Sequence, residues 1–104
     1  MTADVFTAIA EPTRRRILDR LRGNELSVGE LVRGLGMSQP AVSKHLRVLR
    51  EAGLVTTRVA AQQRIYGIRT VPLHALDSWL APYRELWEHH LDALERHLDT
   101  LEDS

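Results

Sequence analysis

The sequence predicts a mainly α-helical fold, five helices with one small β-hairpin, in a single domain of 104 residues. Three observations carry this. Four stretches place apolar residues at helical spacing between cap-forming Ser, Pro and Gly; one stretch, Leu54 to Arg69, turns to the β-branched and aromatic residues that suit a pleated surface. A last stretch, Leu73 to Leu101, returns to steps of three and four residues.

Taken in order, Asp4 to Ala10 reads as a short helix, and Pro12 opens the next at the position where a missing N–H costs least. Ile17, Leu18 and Leu21 form its buried face and Gly23 ends it. Ser27-Val28-Gly29-Glu30 has the capping-box spacing, followed by Leu31, Val32 and Leu35 facing inward with Val28. Gly34 and Gly36 are expected to break this third helix. Ser38 caps a fourth helix that carries Val42, Leu46 and Leu49 inward and closes at Gly53. The two strands of the hairpin are Leu54–Val59 and Arg64–Arg69, joined through residues 60–63. The fifth helix has a near-heptad seam of Leu73, Leu76, Leu80, Tyr83, Trp87, Leu91, Leu94, Leu98 and Leu101, with a four-residue insertion at Trp87. Pro82 inside it predicts a kink or a restart.

Composition excludes much. The chain has no cysteine, which removes disulfides, thiolate metal sites and cysteine nucleophiles together. No apolar run approaches the ~20 residues of a membrane span, and Met1-Thr2-Ala3-Asp4 lacks a signal-peptide layout, so a cytoplasmic protein without membrane partners is expected. No nucleophile–base–orienter group and no Gly-rich phosphate loop is present, so the expectation is not an enzyme and no cofactor. Net charge is zero, but residues 1–70 hold twelve Lys/Arg against six Asp/Glu and residues 71–104 hold two against eight. That division predicts a polyanion-binding face on the first part and a different task for the second, although solvated helix faces would show the same balance.

Two helices joined by Leu35-Gly36-Met37 and followed by a hairpin match a winged helix-turn-helix, in which the second helix enters the major groove of double-stranded DNA. Ser38, Gln39, Pro40, Ser43, Lys44 and Arg47 lie mainly off the Val42/Leu46/Leu49 face and are the candidate readers. Gln39 can offer a paired donor and acceptor to adenine, and Lys44 and Arg47 can reach guanine or phosphate. Arg58, Gln62, Gln63 and Arg64 on the hairpin are the candidates for backbone or minor-groove contact.

Glu11-Pro12-Thr13-Arg14-Arg15-Arg16-Ile17-Leu18, Leu26-Ser27-Val28-Gly29-Glu30-Leu31, Ser38 through Leu49, Ala52-Gly53-Leu54-Val55 and Arg64-Ile65-Tyr66 together resemble an ArsR/SmtB-type transcriptional regulator. The resemblance covers nearly the whole chain. It implies a homodimeric winged helix, usually a repressor of its own operon, with terminal helices forming the dimer interface. Family members that sense metals place thiolates where this chain has Ser27 and Gly29, so that site is absent here. Those that bind zinc on the last helix use D-x-H, where Asp77 is here followed by Trp79, and His89, His90 and His97 do not reproduce the second half. The wing also departs, with Ala61 where the family usually has glycine and Gln62 where it often has arginine.

The last helix cannot bury its own stripe, so it is expected to pack on Val5, Phe6 and Ile9 and on a second copy, through Trp79, Leu80, Tyr83, Trp87, Leu91, Leu94 and Leu98. The division expected within the single domain 1–104 is a DNA-binding core, 11–70, flanked by dimerisation helices, 1–10 and 72–102. The functional expectation is a dimeric repressor that reads an inverted repeat, with no metal and no evident small-molecule ligand. Two alternatives accompany it: a metal-responsive repressor using His89 with Glu85 or Asp92 across a dimer, and a protein interaction module on the same scaffold.

Overall fold

The computed structural model describes residues 4 to 102; the first three residues of the expected interface segment 1–10, and residues 103 and 104, lie outside it. The described chain falls into two compact units, one reaching to His74 and one from Ala75 onward.

In the first unit every helix begins at a side chain that accepts from an otherwise orphaned backbone N–H. Helix α1 (Val5–Ile9) starts at Asp4, whose carboxylate accepts from the Thr7 amide at 2.8 Å. Helix α2 (Pro12–Leu21) starts at Glu11, which accepts from the Arg14 amide at 3.0 Å. A short strand β1 (Leu26–Ser27) runs into helix α3 (Val28–Leu35), where both arms of the capping box close: the Glu30 amide donates to Ser27 Oγ and the Ser27 amide to Glu30 Oε1, each at 3.1 Å. Helix α4 (Gln39–Glu51) starts at Ser38, which accepts from the Ala41 amide at 3.3 Å.

Gly36 ends α3 in the left-handed conformation, φ 67°, as a C-terminal glycine should. Gly34 does not break the helix as expected. Its missing side chain instead makes room for Arg20, whose Nη2 donates to the Gly34 carbonyl at 2.6 Å; a Cβ there would stand 2.5 Å from Arg20 Nη1.

Strands β2 (Val55–Ala60) and β3 (Gln63–Ile68) pair antiparallel, Ala60 opposite Gln63 and Val55 opposite Ile68, so the connection is two residues, shorter than expected. Ala61 and Gln62 both take positive φ, 50° and 68°, the pattern of a type I′ turn whose twist suits a hairpin. Strand β1 was not anticipated: it pairs with β3, Leu26 opposite Tyr66 and Ser27 opposite Ile65, giving the sheet order β1-β3-β2.

The core of this unit joins all of these elements. Ile17, Leu21, Leu31, Val42, Leu46, Leu49 and Leu54 are its fully buried large side chains, each contributing about 1.5–3 kcal/mol of transfer free energy. Val5 and Ala8 of α1 belong to it, and Ile9 packs against it. Val5, expected at a dimer interface, is thus enclosed within its own chain, while Phe6 is exposed.

The second unit is the body of helix α5 (Leu73–Glu102), thirty residues assigned without interruption through Pro82, rather than the restart entertained from sequence. From two residues beyond the proline, Arg84 Nη1 donates back across it to Asp77 Oδ1 at 2.7 Å and to the Asp77 carbonyl at 3.4 Å, a strap spanning the turn in which the proline lacks a donor. No described residue of α5 is buried; Leu91, Leu94 and Leu98 are each half or more exposed.

Candidate nucleic-acid interface

Burial of Val42, Leu46 and Leu49 fixes the roll of α4 on the core. At 3.6 residues per turn this turns Pro40, Lys44 and Arg47 directly outward. Gln39, Ser43 and Arg50 form a strip along one border of the buried face. His45 lies along the other border. Ser38, Gln39, Pro40, Ser43, Lys44 and Arg47 are all exposed, as the sequence suggested. Arg47 is already engaged, its Nε donating to Glu51 Oε1 at 3.3 Å, an exposed i,i+4 pair of small energetic weight. Lys44 makes no ion pair among the described residues.

Sheet register divides the hairpin residues. Residues paired across strands share a face. Val59–Arg64 and Thr57–Tyr66 therefore emerge on the side of the buried Tyr66, toward α3 and α4, whereas Arg58–Ile65 emerges on the other. Arg58 accordingly points away from α4 and binds Glu25, Nε to Oε2, at 3.0 Å. Gln62 sits at the exposed tip.

Between α3, α4 and the hairpin runs an open groove of about 570 Å³. Four of the expected contact residues meet there, Gln39, Ser43, Gln63 and Arg64, together with Arg33 and Arg50, which sequence reading did not single out. Arg50 follows Gln39 by eleven residues, three helical turns, so its place on the same strip was available from spacing alone.

On the far border of α4, the arginine-rich start of α2 acts as a clamp. Arg14 donates from Nε to the Ala8 carbonyl at 2.6 Å and from Nη2 to that of Thr7 at 3.1 Å, and its Nη1 lies 3.4 Å from His45 Nδ1. Arg15 donates to the Ile9 carbonyl at 2.6 Å. These guanidiniums satisfy the free carbonyls at the end of α1, so they are architectural rather than available to a ligand. Burial pushes the Glu11 carboxyl up, but the Arg14 and Thr13 amides together with the charges of His45 and Arg14 outweigh it and hold it below the usual carboxylate range. The Glu30 carboxyl is also held low, by the hydrogen bonds of the capping box to Ser27.

Among the described residues no three His, Asp or Glu side chains converge as metal ligands within the chain, and no helix is long and apolar enough to cross a membrane.

An exposed polar and basic strip on a capped helix, with a two-residue hairpin turn beside it, is an arrangement shared with known regulators. The model of the bacterial regulatory proteins of the arsR family matches residues 11–57, from the N-cap of α2 into β2. The chain is 34% identical over 77 residues to the transcriptional repressor SdpR of Bacillus subtilis, covering 74% of this chain and 86% of that protein. The chain belongs to the arsR family. Its members are DNA-binding transcriptional regulators rather than enzymes, and membership makes this protein a regulator of the same kind. It is also 48% identical over 71 residues to the regulator Rv2034 of Mycobacterium tuberculosis, which covers 68% of this arsR-family protein and 66% of the other, just under two thirds. The solved structure of HlyU from Vibrio cholerae superimposes with a TM-score of 0.64 at 42% identity, over 76% of this chain and 86% of that one.

Proposed function

We propose that this arsR-family regulator acts in the cytoplasm as a homodimeric repressor that binds an inverted repeat. Residues 11–70 hold the DNA; residues 72–102, with the exposed side of segment 1–10 at Phe6, supply the dimer contacts, while Val5 and Ala8 stay in the chain's own core. The observation that carries this reading is the orientation of α4: its apolar side is locked on the core while Gln39, Ser43, Lys44 and Arg47 face solvent from one capped helix. Ser38, Gln39, Pro40 and Ser43 at its start meet base edges and phosphate, Lys44 and Arg47 meet guanine or phosphate, and Gln62, Gln63 and Arg64 meet the backbone beside the wing. Arg58, turned away and paired with Glu25, is left as a tether for the hairpin.

Dimerisation is supported by α5, where Tyr83, Trp87, Leu91, Leu94 and Leu98 expose an apolar stripe that a single helix cannot bury on itself. A second copy supplies an identical stripe and doubles the reader helices. Repression asks no more of the protein than occupancy of its site; of the relatives, SdpR is named a repressor and HlyU an activator. No metal or small molecule is required by this reading.

The test is selection of genomic fragments by the purified protein at physiological salt, followed by sequencing. An inverted repeat with half-sites about 34–36 Å apart is the expected result. Equal retention of all fragments, or retention of none, overturns it.

A further inference from the structure

The groove between α3, α4 and the hairpin carries three guanidiniums, Arg33, Arg50 and Arg64, and no carboxylate. The acidic residues on the same two helices are held by other partners, although the Glu30 carboxylate is still close enough to Arg33 to feel its charge, so Arg50 and Arg64 are the two guanidiniums without a carboxylate from α3 or α4. Glu30 is folded back onto the Ser27 amide at 3.1 Å, and Glu51 is bound to Arg47 at 3.3 Å. The Arg33 guanidinium lies over the first turn of α3, where Gly29 offers no side chain and a Cβ would stand 3.4 Å from Nη1. Gln39 and Ser43 border the same space. Like charges gathered in one concave surface repel each other, and an anion relieves them; planar guanidinium forks suit the paired oxygens of a phosphate group.

We propose that Arg33, Arg50 and Arg64 form a phosphate-binding clamp whose ligand is a backbone phosphate of the DNA strand next to the base met by Gln39. The inference rests on the DNA-binding reading and deepens it. The base-reading strip and a phosphate anchor share one border of α4, so the phosphate fixes the depth and register at which Gln39 meets its base. Arg33 and Arg50 are positioning residues in this scheme, and their removal weakens all sequences alike. The shared chemistry, a phosphate oxyanion, is also found on free phosphate compounds, which makes inorganic pyrophosphate the control ligand.

The experiment is the salt dependence of duplex binding for the wild-type protein, the double variant Arg33→Ala/Arg50→Ala, and its lysine counterpart Arg33→Lys/Arg50→Lys, alongside calorimetric titration of each with pyrophosphate. Both residues are exposed, so the fold is retained, and circular dichroism verifies it. The alanine variant is expected to flatten the log–log salt plot by about one unit, equally on the selected and on a scrambled duplex, and the lysine variant to keep the slope at reduced affinity. A wild-type slope in the alanine variant overturns the clamp while leaving the DNA-binding reading intact. Pyrophosphate binding that is lost in the alanine variant, with the DNA slope unchanged, makes a free phosphate compound the ligand and overturns the DNA source. A wild-type protein that binds neither duplex overturns the DNA-binding reading itself, and the pyrophosphate titration then decides whether the three arginines hold an anion at all.

Discussion

Arg14 Nη1 lies 3.4 Å from His45 Nδ1, joining the first turn of α2 to the middle of α4. The same Arg14 closes two carbonyls of α1. Arg14→Ala is expected to lower stability by about 2 kcal/mol, the scale of hydrogen bonds from a charged donor to part-buried acceptors. Urea unfolding checks this, and a midpoint equal to wild type would show that water replaces the clamp at no cost.

Acid should weaken the helix starts. The Asp4 carboxyl is held low by the Thr7 backbone and side-chain hydrogen bonds, and the Glu30 carboxyl by those of Ser27. Glu11 is held low against its own burial. Each folded-state pKa lies below the ordinary 3.8 or 4.5, so the stabilisation is complete above pH 4.5 and is lost as pH falls through that range toward the folded values. Thermal unfolding between pH 3 and pH 7 measures it; a midpoint that rose on acidification would reverse the sign.

The wing turn holds two non-glycine residues in the left-handed region. Ala61→Gly removes a penalty of about 1–2 kcal/mol and adds the backbone entropy cost of glycine, for a net gain of about 0.5–1 kcal/mol. Denaturant titration reads the difference, and a loss of stability would mean that another contact of Ala61 outweighs the turn.

For the dimer, Trp87→Asp or Leu94→Asp places a charge in the α5 stripe and should yield a monomer. Sedimentation equilibrium decides, and unchanged dimer mass in both variants would move the interface elsewhere.

At the reader helix, Gln39→Ala is expected to relax sequence preference by roughly 1–3 kcal/mol at one base position. Lys44→Ala is expected to weaken binding. Anisotropy titrations on the selected site report both, and wild-type values in both would remove α4 as the reader.

Helices α1 to α4 were legible because their ends are written in single residues: Asp4, Pro12, Ser27, Ser38 and the glycines at 36 and 53. The roll of α4 followed from Val42, Leu46 and Leu49. Strand β1 was hidden because two residues carry no period, and because its partner Tyr66 lies forty positions away; only the folded sheet brings them together. Gly34 misled for a related reason, since the cause of that glycine is Arg20, on another helix. The hairpin was visible, but its faces were not: a one-residue change of register exchanges every side chain between faces, so the outward turn of Arg58 and the inward turn of Arg64 became plain only with the pairing. Arg50 was within reach of helical spacing, and Arg33 was not, because its place depends on how the hairpin closes over α3.

Ser27 begins α3, accepts at its first turn and pairs with β3 opposite Ile65, all within one residue. The root of the hairpin and the start of the helix-turn-helix are therefore the same piece of backbone, and the hairpin cannot swing away without undoing a helix cap. The spacing between Arg64 on one wall and Arg33 on the other is set when the chain folds, before any nucleic acid arrives. The backbone entropy of setting the two arginines opposite one another is therefore lost at folding, and only their exposed side chains are left to order when an anion arrives.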